Sequence, residues 1–179
     1  MKEILTSVNK EHLDNILDGI KTIEWRKKPL PLGKHYGYET KNKGGCGKVT
    51  GEFYIVENIK VYLFDIVCND PKDLIKRGCV DWEFLNKYAG KQDFLYANII
   101  ENEKRYDKPK ELSEFYKPVK YDNVCGAQVV CCGHYQGLET VDYCEYNDGD
   151  CSLKGCKELR NLYKIKRSPQ SWCYVEVSE

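Results

Sequence analysis

Gly19-Ile20-Lys21-Thr22-Ile23-Glu24-Trp25-Arg26 is the stretch whose reading decides the fold of this chain. Gly19 ends a short helix, because glycine tolerates the left-handed conformation just past a helix. Beyond it the residues alternate, with Ile23 and Trp25 on one side and Thr22, Glu24 and Arg26 on the other. A period of two is the mark of a strand with one apolar and one polar face. Lys21 stands at the turn, free to swing toward Glu24 and Arg26. An arginine there can hold a phosphate bidentately or stack on a base. The glutamate can accept from an exocyclic amine such as cytosine N4. The lysine can supply a phosphate contact or an oxyanion donor. Taken without further context, the same charges are a solvated ion-pair ladder on an exposed strand.

Upstream, residues 3–8 read as a strand. Asn9 is placed to cap a helix over about 10–18, in which Leu13, Ile16 and Leu17 share one face. His12 is expected on the surface of that helix. Downstream, Pro29 to Gly33 makes a turn, 35–40 a strand and 42–47 a glycine-rich loop. Residues 48–67 are β-prone and long enough for two strands. Short helices follow Pro71, at 73–77, and at 81–88, the second stopped by Gly90. A strand is expected at 93–100, then a polar, proline-bearing run over 101–123 in which Leu112 and Phe115 dock a short turn. Residues 162–167 and 171–177 read as the last two strands, Trp172 packing inside. This order predicts one α+β domain over 1–179, built on a mixed β-barrel with short flanking helices.

At 179 residues the chain is long enough to bury an apolar core without staples. Its aromatic content, with 14 tyrosines, excludes a disordered chain. Net charge is zero, which argues against coating nucleic acid through bulk charge while leaving a local basic rim open. No apolar run approaches membrane-spanning length and the first residues hold no apolar signal core, so no membrane role and a cytoplasmic location are expected. Ser171 has no histidine at a triad-like spacing, which disfavours a serine hydrolase.

Gly19 to Arg26 resembles the G-x-K-x-x-E-x-R signature of ASCH domains, which are PUA-like. Lys48-Val49-Thr50-Gly51-Glu52-Phe53 resembles the next family strand. Arg167-Ser168-Pro169-Gln170-Ser171-Trp172-Cys173-Tyr174-Val175 resembles the close of a subgroup found in phage and prophage proteins. The resemblance implies a PUA-like barrel whose cleft is lined by the first motif, and a link to RNA binding. In relatives that hydrolyse an acetylated cytidine, a lysine, a threonine three residues later and a distant glutamate act together. Lys21 matches the lysine, but Glu24 stands at the nucleophile position and Cys79 opposite the glutamate, with Glu83 a turn later.

Three functional readings follow. The leading one is a module binding RNA, a nucleotide or a modified base through Lys21, Thr22, Glu24, Arg26, Lys28, Tyr38 and Lys48, Tyr38 offering a ring to a base. Lys27, Lys34, Lys41 and Lys43 add to its basic rim. The second is a hydrolase acting on a nucleoside amide or on RNA, with Lys21, Glu24 and Glu83 performing acid–base work. The third is a protein-interaction role for the cysteine-rich insertion at about 124–157, made acidic by Asp142, Glu145, Asp148 and Asp150. That insertion holds six of the ten cysteines. Cys132, Cys144, Cys151 and Cys156 could form a structural zinc site, which would supply folding free energy to a segment with little core of its own. No C-x2-C pair is present, and free buried thiols or a disulfide stand as the other readings.

Overall fold

The computed structural model describes residues 3–64, 72–117 and 164–177. The chain divides into two units, Met1–Glu111 with Ser168–Tyr174, and Leu112–Arg167 with Val175–Glu179. The insertion at 124–157, with its zinc candidates Cys132, Cys144, Cys151 and Cys156 and the acidic side chains offered to a protein partner, lies outside the described residues.

The first unit is a mixed sheet flanked by short helices. Its elements are β1 (Glu3–Val8), α1 (Lys10–Leu17), β2 (Ile23–Arg26), β3 (Gly33–Glu39), β4 (Val49–Tyr62), α2 (Lys72–Arg77), α3 (Trp82–Ala89) and β5 (Phe94–Lys110). The strands lie in the order β2-β5-β4-β3-β1. β1 and β3 are parallel, and the remaining pairs in that order are antiparallel. This is the α+β, mixed-sheet architecture expected of a PUA-like domain. The barrel is not closed: among the described residues no ladder joins β2 to β1.

Helix α1 buries Leu13, Ile16 and Leu17 against Val8, Leu30, Phe53, Ile55 and Ile100. It can lie this close because β3 and β4 present glycines beneath it. A Cβ on Gly37 would stand 2.6 Å from a Leu13 methyl, and one on Gly51 would stand 2.5 Å from a Leu17 methyl. Arg105 ties the helix down through Asp14 at 3.0 Å and Asp18 at 2.9 Å. Asn9 does start the helix, but its side chain makes no capping bond; it accepts instead from the Thr40 hydroxyl at 3.0 Å. A second core, formed by Ile23, Trp25, Val61, Leu63, Leu85, Leu95, Ala97 and Ile99, fills the other face of the sheet, with α2 and α3 contributing Leu74, Ile75 and Tyr88. Asp81 caps α3 by accepting from the Phe84 N–H at 2.7 Å.

Two elements differ from expectation. The β-prone run after Lys48 is one strand, β4, with three register shifts along its pairing with β5 rather than a break. β5 continues to Lys110 through residues expected to be loop, because Gly51 and Glu52 still find partners in Arg105 and Lys104. Among the described residues β2 pairs only with Tyr96–Ile99, and the extension has β4 as its one partner, so exposed polar residues and Pro109 are tolerated on its other side.

In the second unit a 3-10 turn at Leu112–Glu114 leads into β6 (Phe115–Tyr116), with Phe115 fully buried. β6 pairs antiparallel with the end of β7 (Trp172–Val177), matching Phe115 to Val177. Of the strand expected at 162–167, the described part forms a single bridge, Lys164 to Tyr116. No helix among the described residues is long and apolar enough to cross a membrane.

Candidate functional site

A cavity of about 260 Å³ occupies the side where β2 and β1 fail to pair. β1 supplies Ser7 and Val8, the start of α1 supplies His12, and β2 supplies Glu24, Trp25 and Arg26. Lys21 lies at its base, and Phe84 and Tyr88 of α3 line its wall.

The short β2 strand fixes the charges. Its Trp25 faces the core beneath α2 and α3, which turns Glu24 and Arg26 the other way. Asn98, fully buried opposite Glu24, donates to the Glu24 backbone carbonyl at 2.6 Å and accepts from Leu30 N–H at 2.8 Å. One amide thus locks both the strand and the turn after it. Lys21 is only 2% exposed and donates to the Gly78 carbonyl at 2.8 Å. Gly78 has no side chain to spare: a Cβ there would collide with the Trp25 indole.

Glu24, 6% exposed, sits between two cations. Its Oε2 is 3.2 Å from Lys21 Nζ, and its Oε1 is 2.9 Å from Arg26 Nε. The Arg26 contact is an ion pair outside hydrogen-bond alignment, so Nε remains a buried donor without a bonded acceptor. The other end of the guanidinium donates from Nη2 to the Ser7 carbonyl at 3.0 Å, spanning from β2 to β1. Burial by itself pushes the Glu24 carboxyl up, but Lys21 and then Arg26 outweigh it and hold the group below the usual carboxylate range. Glu24 is therefore an ionised acceptor at neutral pH.

The wall is aromatic. Phe84 and Tyr88, four residues apart on α3, lie with ring planes 6° apart and centroids 6.0 Å apart. His12 meets Phe84 edge-on at 6.3 Å. Lys27 Nζ lies 5.5 Å from the Tyr88 centroid. Burial and then the nearby Lys21 charge push His12 below its ordinary value, with Glu24 opposing. His12 is thus neutral at pH 7, and its buried Nδ1 lacks a partner.

Of the expected ligand residues, Lys21, Glu24 and Arg26 are brought together here. Thr22 is not at the cavity; its hydroxyl accepts from Arg77 Nε at 3.0 Å. Lys28 is exposed on the chain leaving β2. Tyr38 is buried in β3 rather than offered to a ligand. Lys48 pairs with Glu111 at 2.6 Å, and Lys34 with Glu52 at 3.0 Å. Glu83 is exposed on the first turn of α3, while the next residue, Phe84, lines the cavity. His12 is half-buried against the cavity rather than on the open surface.

No protein-family model and no curated protein matches the sequence. Solved structures do. The ASCH protein of Zymomonas mobilis is 20% identical, with a TM-score of 0.51 over 62% of this chain and 74% of that one. Two variants of the same protein superpose similarly, one at 19% identity and 0.51 over 63% and 77% of the two chains. The other gives 18% and 0.50 over 62% and 74%. The chain has the ASCH fold. Within the ASCH fold of this chain, the segment resembling the family signature is the one that builds the floor of the cavity.

Proposed function

We propose that this chain is an ASCH domain that holds one unpaired base of RNA, a free nucleotide or a modified base in the cavity between β1, β2 and α3. The observation that carries this is Glu24, a buried carboxylate kept ionised by two cations inside a cavity with an aromatic wall. Burying charge is costly, and here the charge is kept where it lines a cavity. A nucleobase suits the inventory. Its π-face can lie against Phe84, which is 45% exposed, and its exocyclic amine can donate to Glu24. The Arg26 guanidinium, which lines the cavity, offers a donor to a ring nitrogen or carbonyl. Lys27 and Lys28, exposed just beyond Arg26, supply charge for a phosphate outside the cavity.

Titration of the four ribonucleoside monophosphates and of base-modified nucleosides tests the reading. Glu24→Gln and Arg26→Ala should each weaken the best ligand at least tenfold, and Phe84→Ala by a smaller factor. Equal binding by wild type and all three variants would remove the proposal.

A further inference from the structure

Beyond the cavity, the register of three strands sets out a second surface. On the sheet face that carries Glu24 and Arg26, Arg26 of β2 stands opposite Tyr96 of β5, and Tyr96 stands opposite Lys60 of β4. The next pair along is Phe94 opposite Tyr62. The residues between them, Leu95, Ala97 and Val61, point into the core beneath α2 and α3. A row of cation, ring and cation is therefore followed by a row of two rings.

Tyr96 and Phe94 are half-buried, and the rings beyond them stand in solvent. Tyr62 is 43% exposed and Phe64, just beyond it, 74%. Tyr62 and Phe94 meet edge-on at 5.9 Å, and Phe94 and Tyr96 at 5.8 Å. Lys60 Nζ lies 3.8 Å from the Phe94 centroid and 4.8 Å from that of Tyr62. Cross-strand pairing accounts for the Tyr62–Phe94 contact, and the two-residue repeat of one strand for Phe94–Tyr96. Neither accounts for the exposure of Tyr62 and Phe64 beside a lysine held over the rings. Lys60 is held there by a hydrogen bond to the Tyr62 side chain, with the field of the Asp93 carboxylate a smaller contribution.

We infer that Tyr96, Phe94 and Tyr62, with Lys60, form a stacking track for the nucleotides that adjoin the base held in the cavity. The occupant is single-stranded nucleic acid, since bases in a duplex offer no free π-face. Rings supply stacking without sequence preference, and Lys60 supplies a phosphate contact. The continuity comes from Arg26, which belongs to both the cavity and the first row of the track. This inference rests on the cavity reading for its starting point, but the track can be tested separately.

The experiment compares a mononucleotide with single-stranded hexamers of RNA and of DNA containing the same base, using the whole chain. The hexamer should bind at least tenfold more tightly than the mononucleotide. Tyr62→Ala and Lys60→Ala should each remove most of that gain while leaving mononucleotide binding and the thermal midpoint unchanged. Phe94→Leu, which keeps apolar bulk, should reduce it in a protein that still folds. An RNA-only gain would assign part of the recognition to the 2′-hydroxyl, and equal gains would assign it to stacking and charge. A hexamer bound through Tyr62 when no mononucleotide binds would uphold the track and dismiss the cavity reading. A hexamer that gains nothing, or gains equally in all variants, would overturn the track, as expected if this face serves a protein instead.

Discussion

Two buried polar groups in the same unit have been given opposite treatment. Glu24 is surrounded by the Lys21 ammonium and the Arg26 guanidinium and stays charged. His35, fully buried in β3 and stacked on Phe53 at 5.4 Å, is surrounded by neutral dipoles. Its Nε2 donates to the Pro31 carbonyl at 2.8 Å, and because a carbonyl only accepts, Nδ1 must accept from the Thr6 hydroxyl at 2.7 Å. Burial pushes His35 down to about 4, opposed by the Pro31 bond and assisted by the Arg26 charge. A neutral, fully bonded histidine is sufficient to hold a turn against a sheet. A charged carboxylate between two cations beside a cavity is a different object, and the contrast marks the cavity as the place where charge is kept for use.

The strongest test of that contrast is to remove a cation. Lys21→Met leaves the buried Glu24 with one charged partner and should cost about 3 kcal/mol or more in a urea unfolding curve. A loss under about 1 kcal/mol would mean that the pair is already solvated. The pH dependence separates the two sites next. Since His35 binds its proton less readily when folded, the stability it contributes is complete above about 6.5 and falls away as pH drops toward 4. That loss amounts to about 3 kcal/mol, and His35→Gln should abolish it. Glu24 has a folded value below its ordinary one, so its contribution is present above the usual carboxylate range and disappears only at lower pH. A single acid transition unaffected by His35→Gln would contradict the separation. At the smaller end, Thr6→Val leaves His35 Nδ1 without its donor and should cost about 1–2 kcal/mol with no change in nucleotide binding.

The sequence disclosed the charged floor of the cavity because alternation in a short strand puts Glu24 and Arg26 on one face. It also placed α1, whose apolar face is periodic. It did not disclose the length of β5, because that extension is held by backbone pairing with β4 rather than by burial, and so carries no apolar alternation. Phe84 and Tyr88 were equally hidden. Their spacing on α3 is that of an ordinary helix face, and only the packing of α3, through Leu85, into the core around Trp25 turns that face toward the cavity. His12 flanks the buried stripe of α1, at i and i+4 with Ile16, a signal that separates it weakly from a surface histidine. The burial of Tyr38 was hidden for the opposite reason: aromatic alternation in β3 describes a buried strand as readily as an open one.

The most direct test of the account is a side-chain ¹⁵N–¹H spectrum recorded during titration with the tightest-binding mononucleotide. Arg26 Nε–H and the Trp25 indole N–H are buried donors without bonded acceptors, and both residues line the cavity. The account predicts that the Arg26 resonance moves most, saturating with the ligand, while signals from His35 and its surroundings hold still. A ligand that saturates the protein and leaves Arg26 Nε–H unmoved would contradict it.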